Sequence, residues 1–326
     1  MKVKNLLMLA SAFLTACLHV GAGLAQNAQP GPVRITTPFP AGSGPDVVTR
    51  VLAEKLALRW GVGVVVEAKP GANGFLAVNA VKHATANGTE LLIADVGHLS
   101  INPLIFRKLP YDPEVDLVPV AVVYKTAFFV AVGANSGIRT IKDLTAQALA
   151  SPGKTTYGSN AVGGPLHLGA AQFEGGIGAQ MLHVPFKELS QLYGAVSNGD
   201  VTWAYGSIAT AGALARAGKL RFIAIADRTR SPNLPDVPTL EEAGGPKGID
   251  ATSFIALMGP KGMNAALAES IGRAVNEALA LPDVRERMAG FGFNLSPGAP
   301  SQVTNMMRSE RARYVDLVKR LNVSTD

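Results

Sequence analysis

Strand-like and helix-like stretches alternate along this chain from residue 33 onward, and this order constrains the fold more than any other feature. Short apolar runs predict strands at residues 33–37, 64–67 and 91–94. Apolar residues three and four positions apart predict helices between them, at residues 45–60 and 74–84. This strand–helix order predicts right-handed crossovers and a parallel sheet, which binds ligands at the carboxyl ends of its strands.

A second set of the same kind follows, and 326 residues suffice for two lobes rather than one core. The predicted strands of this part lie at residues 128–132, 155–158, 181–184, 201–205, 222–226 and 254–258. The predicted helices lie at residues 140–150, 164–173, 189–196, 265–279 and 300–321. The Pro- and Gly-rich residues 230–248 predict a connection without regular structure.

Two Gly-rich loops, at residues 38–46 and 159–167, each follow a predicted strand and lead through a proline into a predicted helix. Glycine lets the backbone approach a ligand closely, and the first N–H groups of a helix lack partners within the helix. Together these features predict a site for a carboxylate or a phosphate. The alternative is that both loops are only turns that start helices.

The polar side chains near these loops leave their roles open. The side chains placed to add hydrogen bonds to a ligand are those of Ser43, Ser159 and Asn160. Asp46 lies in a first helical turn, where an acid either complements the helix dipole or contacts the ligand. His98 follows a predicted strand, so it either reaches the ligand or caps the next helix, whereas His167 is expected to make structural hydrogen bonds.

The composition argues against several other classes of protein. The net charge is +6, but no run of Lys and Arg is interleaved with aromatic residues, so we expect no nucleic-acid binding. The hydrolase elbow, P-loop and zinc-protease motifs are absent, so we expect neither an enzyme nor a cofactor. The mature chain's histidines, His83, His98, His167 and His183, have no metal-site spacing. Cys17 is the only cysteine, so no intrachain disulfide is possible.

The N-terminus has the pattern of an export signal. Two lysines precede an apolar run at residues 6–18, and the Gly-Leu-Ala of residues 23–25 forms a cleavage site. We therefore predict a signal peptide at residues 1–25 and a mature protein in the periplasm. The Leu-Thr-Ala before Cys17 resembles a lipobox, whose cysteine would carry a lipid anchor, but we favour cleavage after residue 25.

Six short motifs follow one another in a fixed order along the chain. They are PFPAGSGPD at residues 38–46, VVEAKPGANG at 65–74, INP at 101–103, LPYDP at 109–113, HVPFK at 183–187 and LPDVPT at 234–239. In this order they resemble the Bug receptors, the substrate-binding proteins of tripartite tricarboxylate transporters. The resemblance covers essentially the whole mature chain.

The resemblance implies an α/β, two-lobed periplasmic-binding-protein fold of the Venus flytrap type, with two crossing strands. Lobe 1 would comprise residues 30–126 and 252–326, and lobe 2 residues 127–251. The two Gly-rich loops would clamp one carboxylate of the ligand, partly through ordered water. The predicted ligand-binding residues are Phe39, Ala41, Gly42, Ser43, Asp46, His98, Ser159, Asn160, Gly163, Gly164, His167, Phe186, Lys187 and Tyr205.

The function implied is that of a monomeric extracytoplasmic receptor, which binds a small carboxylate between its lobes and needs no metal. It would deliver this ligand to the membrane permease subunits of a tripartite tricarboxylate transporter. The alternative is a periplasmic sensor that binds a solute and signals to a membrane partner.

The chain departs from the family's motifs in ways that bear on the ligand. Pro45, Gly164 and Leu166 stand where hydroxyl side chains are usual, so we expect the far end of the site to be less polar. Lys187 and His98 are the candidates for contact with a second anionic group, although an acid follows Lys187. From this balance we expect a monocarboxylate or an aromatic acid to bind rather than citrate.

Overall fold

The computed structural model describes residues 31–321, which form two β-sheets flanked by helices. The strands are β1 (Val33–Thr37), β2 (Val64–Ala68), β3 (Glu90–Asp95), β4 (Leu117–Ala127), β5 (Phe129–Gly133), β6 (Thr156–Ser159), β7 (Leu182–Pro185), β8 (Trp203–Gly206), β9 (Leu220–Ile225), β10 (Thr252–Pro260) and β11 (Asn294–Gly298). The predicted signal peptide and Cys17 lie outside the described residues.

Helices connect most of these strands. They are α1 (Gly44–Trp60), α2 (Phe75–Lys82), α3 (Asn102–Ile105), α4 (Ile141–Ala150), α5 (Pro165–Ile177), α6 (Leu189–Asn198), α7 (Ile208–Arg216), α8 (Ala265–Ala280), α9 (Pro282–Gly290) and α10 (Pro300–Leu321). No helix within residues 31–321 is both long enough and apolar enough to cross a membrane.

The first sheet has the strand order β11-β4-β10-β3-β1-β2. Strands β1, β2 and β3 run parallel, as predicted, because helices return the chain to the same edge each time. The rest of this sheet is antiparallel, since β10 pairs antiparallel with both β3 and β4, and β11 pairs antiparallel with β4. The reason is that β10 enters this sheet on its return from the second sheet.

The second sheet has the order β7-β6-β8-β5-β9, and it is also mixed. Strands β6, β7 and β8 are parallel, whereas β5 pairs antiparallel with β8 and β9. Five elements lie outside every range that the sequence predicted: β4, β11, α3, α7 and α9. Strand β4 is the longest of the strands in residues 31–321, and it leads directly into the second sheet.

Local sequence accounts for the first helix. Pro45 stands at its start, where the missing N–H costs nothing, and Gly61 ends it in the left-handed conformation. Val48, Leu52 and Leu56 recur on one face and are buried against β1 and α8. This burial fixes the orientation of α1, so that its N-terminus lies at the carboxyl end of β1.

The hydrophobic core follows the two sheets. One cluster packs α1 and α8 on one face of the first sheet, and another packs α2 and α10 on its opposite face. Two further clusters cover the faces of the second sheet. Leu168 of α5 belongs to the α10 cluster, so α10 joins the two halves of the molecule.

The two sheets are joined by backbone hydrogen bonds at one point. The Phe128 N–H donates to the Ala251 carbonyl at 3.1 Å, the Ala251 N–H to the Ala226 carbonyl at 2.9 Å, and the Ala226 N–H to the Phe128 carbonyl at 2.9 Å. Phe128 and Ala251 are where the chain passes from one sheet to the other and back. This bonded triplet holds the two crossing strands together.

Close packing of α8 on β4 gives a first testable prediction. A Cβ at Gly272 would lie 2.5 Å from the Val120 carbonyl oxygen, which belongs to the backbone and has no flexible way to move aside. We expect Gly272→Ala to lower the free energy of unfolding by about 1–3 kcal/mol. Urea denaturation measures this difference.

The control is Gly194→Ala in α6, where a Cβ meets no atom within 4 Å. This change should be neutral or stabilise by up to about 1 kcal/mol, since Ala favours a helix interior more than Gly does. Equal effects of the two changes would contradict the close approach of α8 to β4.

Candidate functional site

Loop 1, residues 38–46, contains one tight turn between β1 and α1. The Ser43 N–H donates to the Pro40 carbonyl at 3.1 Å, and Gly42 has a φ of +78°. Gly42 therefore stands where a type II turn needs a left-handed residue. The Gly42 N–H donates to Oδ2 of Asp46 at 2.9 Å.

Loop 2, residues 159–167, repeats this geometry between β6 and α5. The Gly164 N–H donates to the Ala161 carbonyl at 3.1 Å, and Gly163 has a φ of +74°. The Gly163 N–H donates to Nδ1 of His167 at 2.8 Å. We call this bond, from the turn glycine to the side chain four residues later, the loop lock. Each sheet thus carries one locked loop at the carboxyl end of a parallel strand.

Each loop presents backbone donors. Within the described residues, the N–H groups of Gly44 and Asp46 at the start of α1 have no acceptor, and neither have those of Leu166 and His167 at the start of α5. The next N–H of either helix is already bonded, at 2.9 Å, to the residue that precedes the helix. Free N–H groups at the positive end of a helix favour an anion.

Asp46 stabilises loop 1 through its buried carboxylate. It is 1% exposed, and its carboxylate accepts from Arg50 through Nε at 2.9 Å and through a terminal nitrogen at 3.1 Å, besides the loop lock. Such a bidentate pair satisfies the buried charge. The geometry therefore fits a structural role for Asp46 at the start of α1 better than it fits contact with the ligand.

His167 belongs to a stack of rings beneath loop 2. Its imidazole lies parallel to that of His183 with centroids 4.0 Å apart, and Tyr157 stacks on His183 at 5.2 Å. The Ser159 hydroxyl lies 2.8 Å from Nε2 of His183. Burial, and then the charge of His183, lowers the pKa of His167 to about 4, and burial also lowers the pKa of His183. The loop lock requires a neutral His167, because an unprotonated Nδ1 must accept the hydrogen bond from the Gly163 N–H.

His98 lies beside loop 1 in a π-helical turn, Gly97–Ile101, that follows β3. Its Nδ1 lies 2.5 Å from Oδ1 of Asp95, and its ring meets Phe39 edge-on at 5.7 Å. Burial acts to raise the pKa of Asp95, but the charge and hydrogen bonds of His98 outweigh it and lower that pKa. His98 and Asp95 thus form a buried polar pair next to the loop.

Several predicted ligand residues are accessible. Ala41, Asn160 and Lys187 are exposed, and Phe39, Ser43 and Phe186 are half-buried around the two loops. The Phe186 N–H donates to the Ser159 carbonyl at 2.8 Å, which ties the end of β7 to loop 2.

Two predicted residues are sealed from the cleft. Tyr205 is fully buried, with its ring against Trp203, because β8 turns that face into the core. Ser159 is also fully buried, and its hydroxyl donates to the Ala161 carbonyl. Leu166 is 5% exposed, so it packs in the core and cannot make the cleft less polar.

Sequence reasoning missed the loop at residues 71–74, which follows β2 and adjoins His98. Among the non-glycine residues within 31–321, those with a positive φ are Ala72, at +46°, and Asn73, at +47°. The amide of Asn102 donates to the Asn73 carbonyl at 3.1 Å and holds this conformation. The signal that could have found it was the PGANG of residues 70–74 directly after a strand.

The first sheet's loops approach the second sheet's helices. A Cβ at Gly44 would lie 3.3 Å from the Cβ of Ala209 in α7, and a Cβ at Gly292 would overlap Ile208. Loop 1 and the segment before β11 therefore border the cleft between the lobes. Residues 31–321 contain no cluster of three His, Cys, Asp or Glu side chains suited to a metal.

Comparison with known proteins identifies this arrangement. The profile described as the tripartite tricarboxylate transporter family receptor matches residues 48–323. The chain belongs to this family. The resemblance drawn from the six motifs is thereby confirmed, and the family is one of solute receptors rather than of enzymes.

Named relatives cover almost the whole chain. Protein BugT of Bordetella pertussis is 30% identical over 98% of both chains. The structure of Rpa4515 from R. palustris with adipate has a TM-score of 0.85 at 25% identity, over 90% of this chain and 99% of that one. MatC from Rhodopseudomonas palustris with bound malate has a TM-score of 0.80 at 25% identity, over 89% and 99%. The chain therefore has the two-lobed fold of these periplasmic binding proteins.

The neutral loop lock predicts a dependence of stability on pH. The pKa of His167 is about 4 in the folded protein, whereas an unfolded histidine titrates near 6.5. Protons therefore favour the unfolded chain, so the stabilisation is complete above about pH 6.5 and is lost as the pH falls toward about 4. The loss amounts to up to about 3 kcal/mol.

Urea denaturation at pH 7, 5 and 4 tests this dependence with His167→Gln, which cannot titrate. The variant should lose less stability between pH 7 and pH 4 than the unaltered protein does. His83→Gln, at an exposed histidine, is the control and should follow the unaltered protein. If His167→Gln loses as much as the control, the neutral lock is refuted.

Proposed function

We propose that this chain is an extracytoplasmic receptor that holds one carboxylate between loops 1 and 2. The observation that carries the proposal is the repeated geometry of the two loops. Each has the same turn, the same left-handed glycine and the same lock, and each leaves two backbone N–H groups free at the start of a helix. One loop belongs to each lobe, so a ligand that bonds to both favours the closed arrangement of the lobes.

The chemistry of the donors favours a carboxylate. Backbone N–H groups carry no formal charge, yet they are fixed in direction, and a hydrogen bond to an ionised partner contributes about 1.5–3 kcal/mol. Neither loop lock repels an anion, because Arg50 neutralises Asp46 and burial keeps His167 neutral. An incoming carboxylate therefore meets donors without meeting an unpaired negative charge.

Relatives support the same class of ligand. The structures named above hold adipate and malate, both small carboxylic acids. We infer that the present chain passes its ligand to the permease subunits of a tripartite tricarboxylate transporter, as a monomer in the periplasm. We further infer that residues 30–126 with 252–326 form lobe 1 and residues 127–251 form lobe 2.

The clamp is tested by replacing its glycines. Gly42→Val and Gly163→Val should each lower affinity at least 100-fold, because a β-branched residue with positive φ is strained by about 1–3 kcal/mol and displaces the donors. Native mass spectrometry of protein from its own host identifies the retained acid, and calorimetry with that acid measures the affinity.

The matched control is Gly61→Val at the far end of α1. Gly61 also has a positive φ, +67°, and open space around it, so it carries the same backbone strain away from the loops. This variant should lose stability but keep its affinity. Unchanged affinity in both loop variants would refute the two-loop clamp.

Export gives a further prediction. We expect the mature protein from the native host to start at Gln26, because residues 23–25 form the cleavage site. Intact-mass measurement distinguishes this from the alternative. A lipid-modified N-terminal peptide beginning at Cys17 would show that the lipobox is used instead.

A further inference from the structure

Two helices that belong to different sheets touch at their first turns. A Cβ at Gly44, the first residue of α1, would lie 3.3 Å from the Cβ of Ala209, the second residue of α7. Ala209 also packs against the apolar cluster of α1 and α8, and every other described member of that cluster lies within residues 33–124 or 255–295. Ala209 therefore adds apolar surface to the core of the other lobe.

Ile208 makes a second contact between the lobes, with the segment that precedes β11. Gly292 has a φ of +74°, and a Cβ there would lie 2.4 Å from the Cβ of Ile208 and 2.7 and 2.8 Å from two further carbons of that side chain. Strand β11 belongs to the first sheet, whereas α7 follows β8 of the second sheet. A side chain at residue 292 would thus overlap Ile208 in the arrangement described.

Both contacts depend on the relative position of the lobes. The chain passes between the sheets next to Phe128 and Ala251, and the lobes rotate about these crossing strands when the cleft opens. Gly44 is itself part of loop 1. An opening that draws loop 1 away from lobe 2 therefore separates Gly44 from Ala209, so this contact belongs to the arrangement in which the two loops share one carboxylate.

We propose that the first turn of α7 is a closure contact, which packs on lobe 1 when the lobes close and raises the affinity for the ligand without touching it. The closure contact consists of Ile208 and Ala209 on lobe 2 and of Gly44 and Gly292 on lobe 1. Ile208 is thereby a positioning residue, since it stabilises the arrangement in which loops 1 and 2 meet the same carboxylate. The proposal rests on the clamp proposed above, which binds the ligand itself.

The effect on affinity follows from the linkage between closure and binding. The apparent affinity of a receptor falls in proportion to the fraction of molecules in the arrangement that is competent to bind. Apolar surface of Ile208 and Ala209 that leaves water on closure raises this fraction. Because the contact forms as the lobes close on a ligand already in the cleft, it slows dissociation and leaves association nearly unchanged.

The first test removes most of the Ile208 side chain from the full mature protein. The probe is whichever of adipate, malate and benzoate binds tightest in calorimetry, or the acid retained from the native host if none of the three binds. We expect Ile208→Ala to weaken binding about 3- to 10-fold through faster dissociation in stopped-flow measurements. The association rate should stay within about twofold.

The matched control is Leu214→Ala, further along the same helix. Leu214 is also half-buried, but it packs against a cluster of the second sheet. Its loss should lower the stability of the fold and leave both rates unchanged. A closure contact thus differs from a merely structural residue in its effect on the dissociation rate.

The second test adds one methyl group where the lobes meet. Gly292→Ala should weaken binding by more than about 30-fold, because the new Cβ overlaps Ile208 and prevents full closure. Small-angle scattering at saturating acid should show a larger radius of gyration than for the unaltered protein. Gly61→Ala is the control, since Gly61 also has a positive φ, +67°, but a Cβ there meets no atom within 4 Å.

A double variant separates the closure contact from local strain at residue 292. Ile208→Gly removes every Ile208 carbon that the new Cβ would overlap. The combination of Gly292→Ala with Ile208→Gly should therefore bind about fivefold more tightly than Gly292→Ala alone, although Ile208→Gly by itself weakens binding. Strain in the backbone of residue 292 is independent of Ile208 and predicts no such recovery.

The outcomes distinguish this proposal from the one it rests on. Unchanged affinity and dissociation in Ile208→Ala overturn the closure contact, even if Gly292→Ala does not fold, and so do losses no larger than those of the controls. The clamp stands in either case if Gly42→Val and Gly163→Val still lose affinity. If those two loop variants keep full affinity, or if no acid binds, the clamp fails and this proposal fails with it.

Discussion

The hydrogen bond from a glycine N–H to the side chain four residues later is the contact on which the geometry of this receptor depends. In loop 1 the acceptor is Asp46 and in loop 2 it is His167. Each bond requires a left-handed residue in the turn, which restricts that place to glycine at little cost. Because the bond consumes the N–H of the turn, the N–H groups left free are those at the start of the helix. Their direction is then set by α1 and α5, whose buried faces are packed against the sheets.

The two loop locks make the same hydrogen bond, one with a charged acceptor and the other with a neutral acceptor. Asp46 carries a charge and needs Arg50 to make its burial tolerable, whereas His167 is neutral and needs only exclusion from water and a ring stacked above it. A buried charge without a partner would cost several kcal/mol and would also repel an anion. Loop 1 therefore depends on an ion pair that salt screens only weakly, because one partner is buried. Loop 2 depends on pH instead.

Sequence reasoning was most successful where the structure is local. The strand, loop and helix of residues 33–60 follow from spacing, glycine and proline alone, and so does their repeat around residues 155–173. It failed where a partner lies far away in the chain, as for β10, whose antiparallel pairing depends on the return from the second sheet. Sequence reasoning placed Tyr205 and Leu166 in the site, although both are buried. Whether a residue at the end of a strand or helix faces the core or the cleft depends on packing. The pair of Asp95 and His98 needs a π-helical turn, which no helical periodicity indicates.

The clamp and the choice of ligand are separate tasks in this receptor. Backbone N–H groups treat every carboxylate alike, since each acid presents the same two oxygens, so the loops supply affinity without discrimination between acids. Discrimination must come from side chains that meet the rest of the ligand, and a family that keeps its loops can change ligand by changing those side chains. In this chain a side chain beside loop 1 is the imidazole of His98, whose Nδ1 contacts Oδ1 of Asp95 at 2.5 Å.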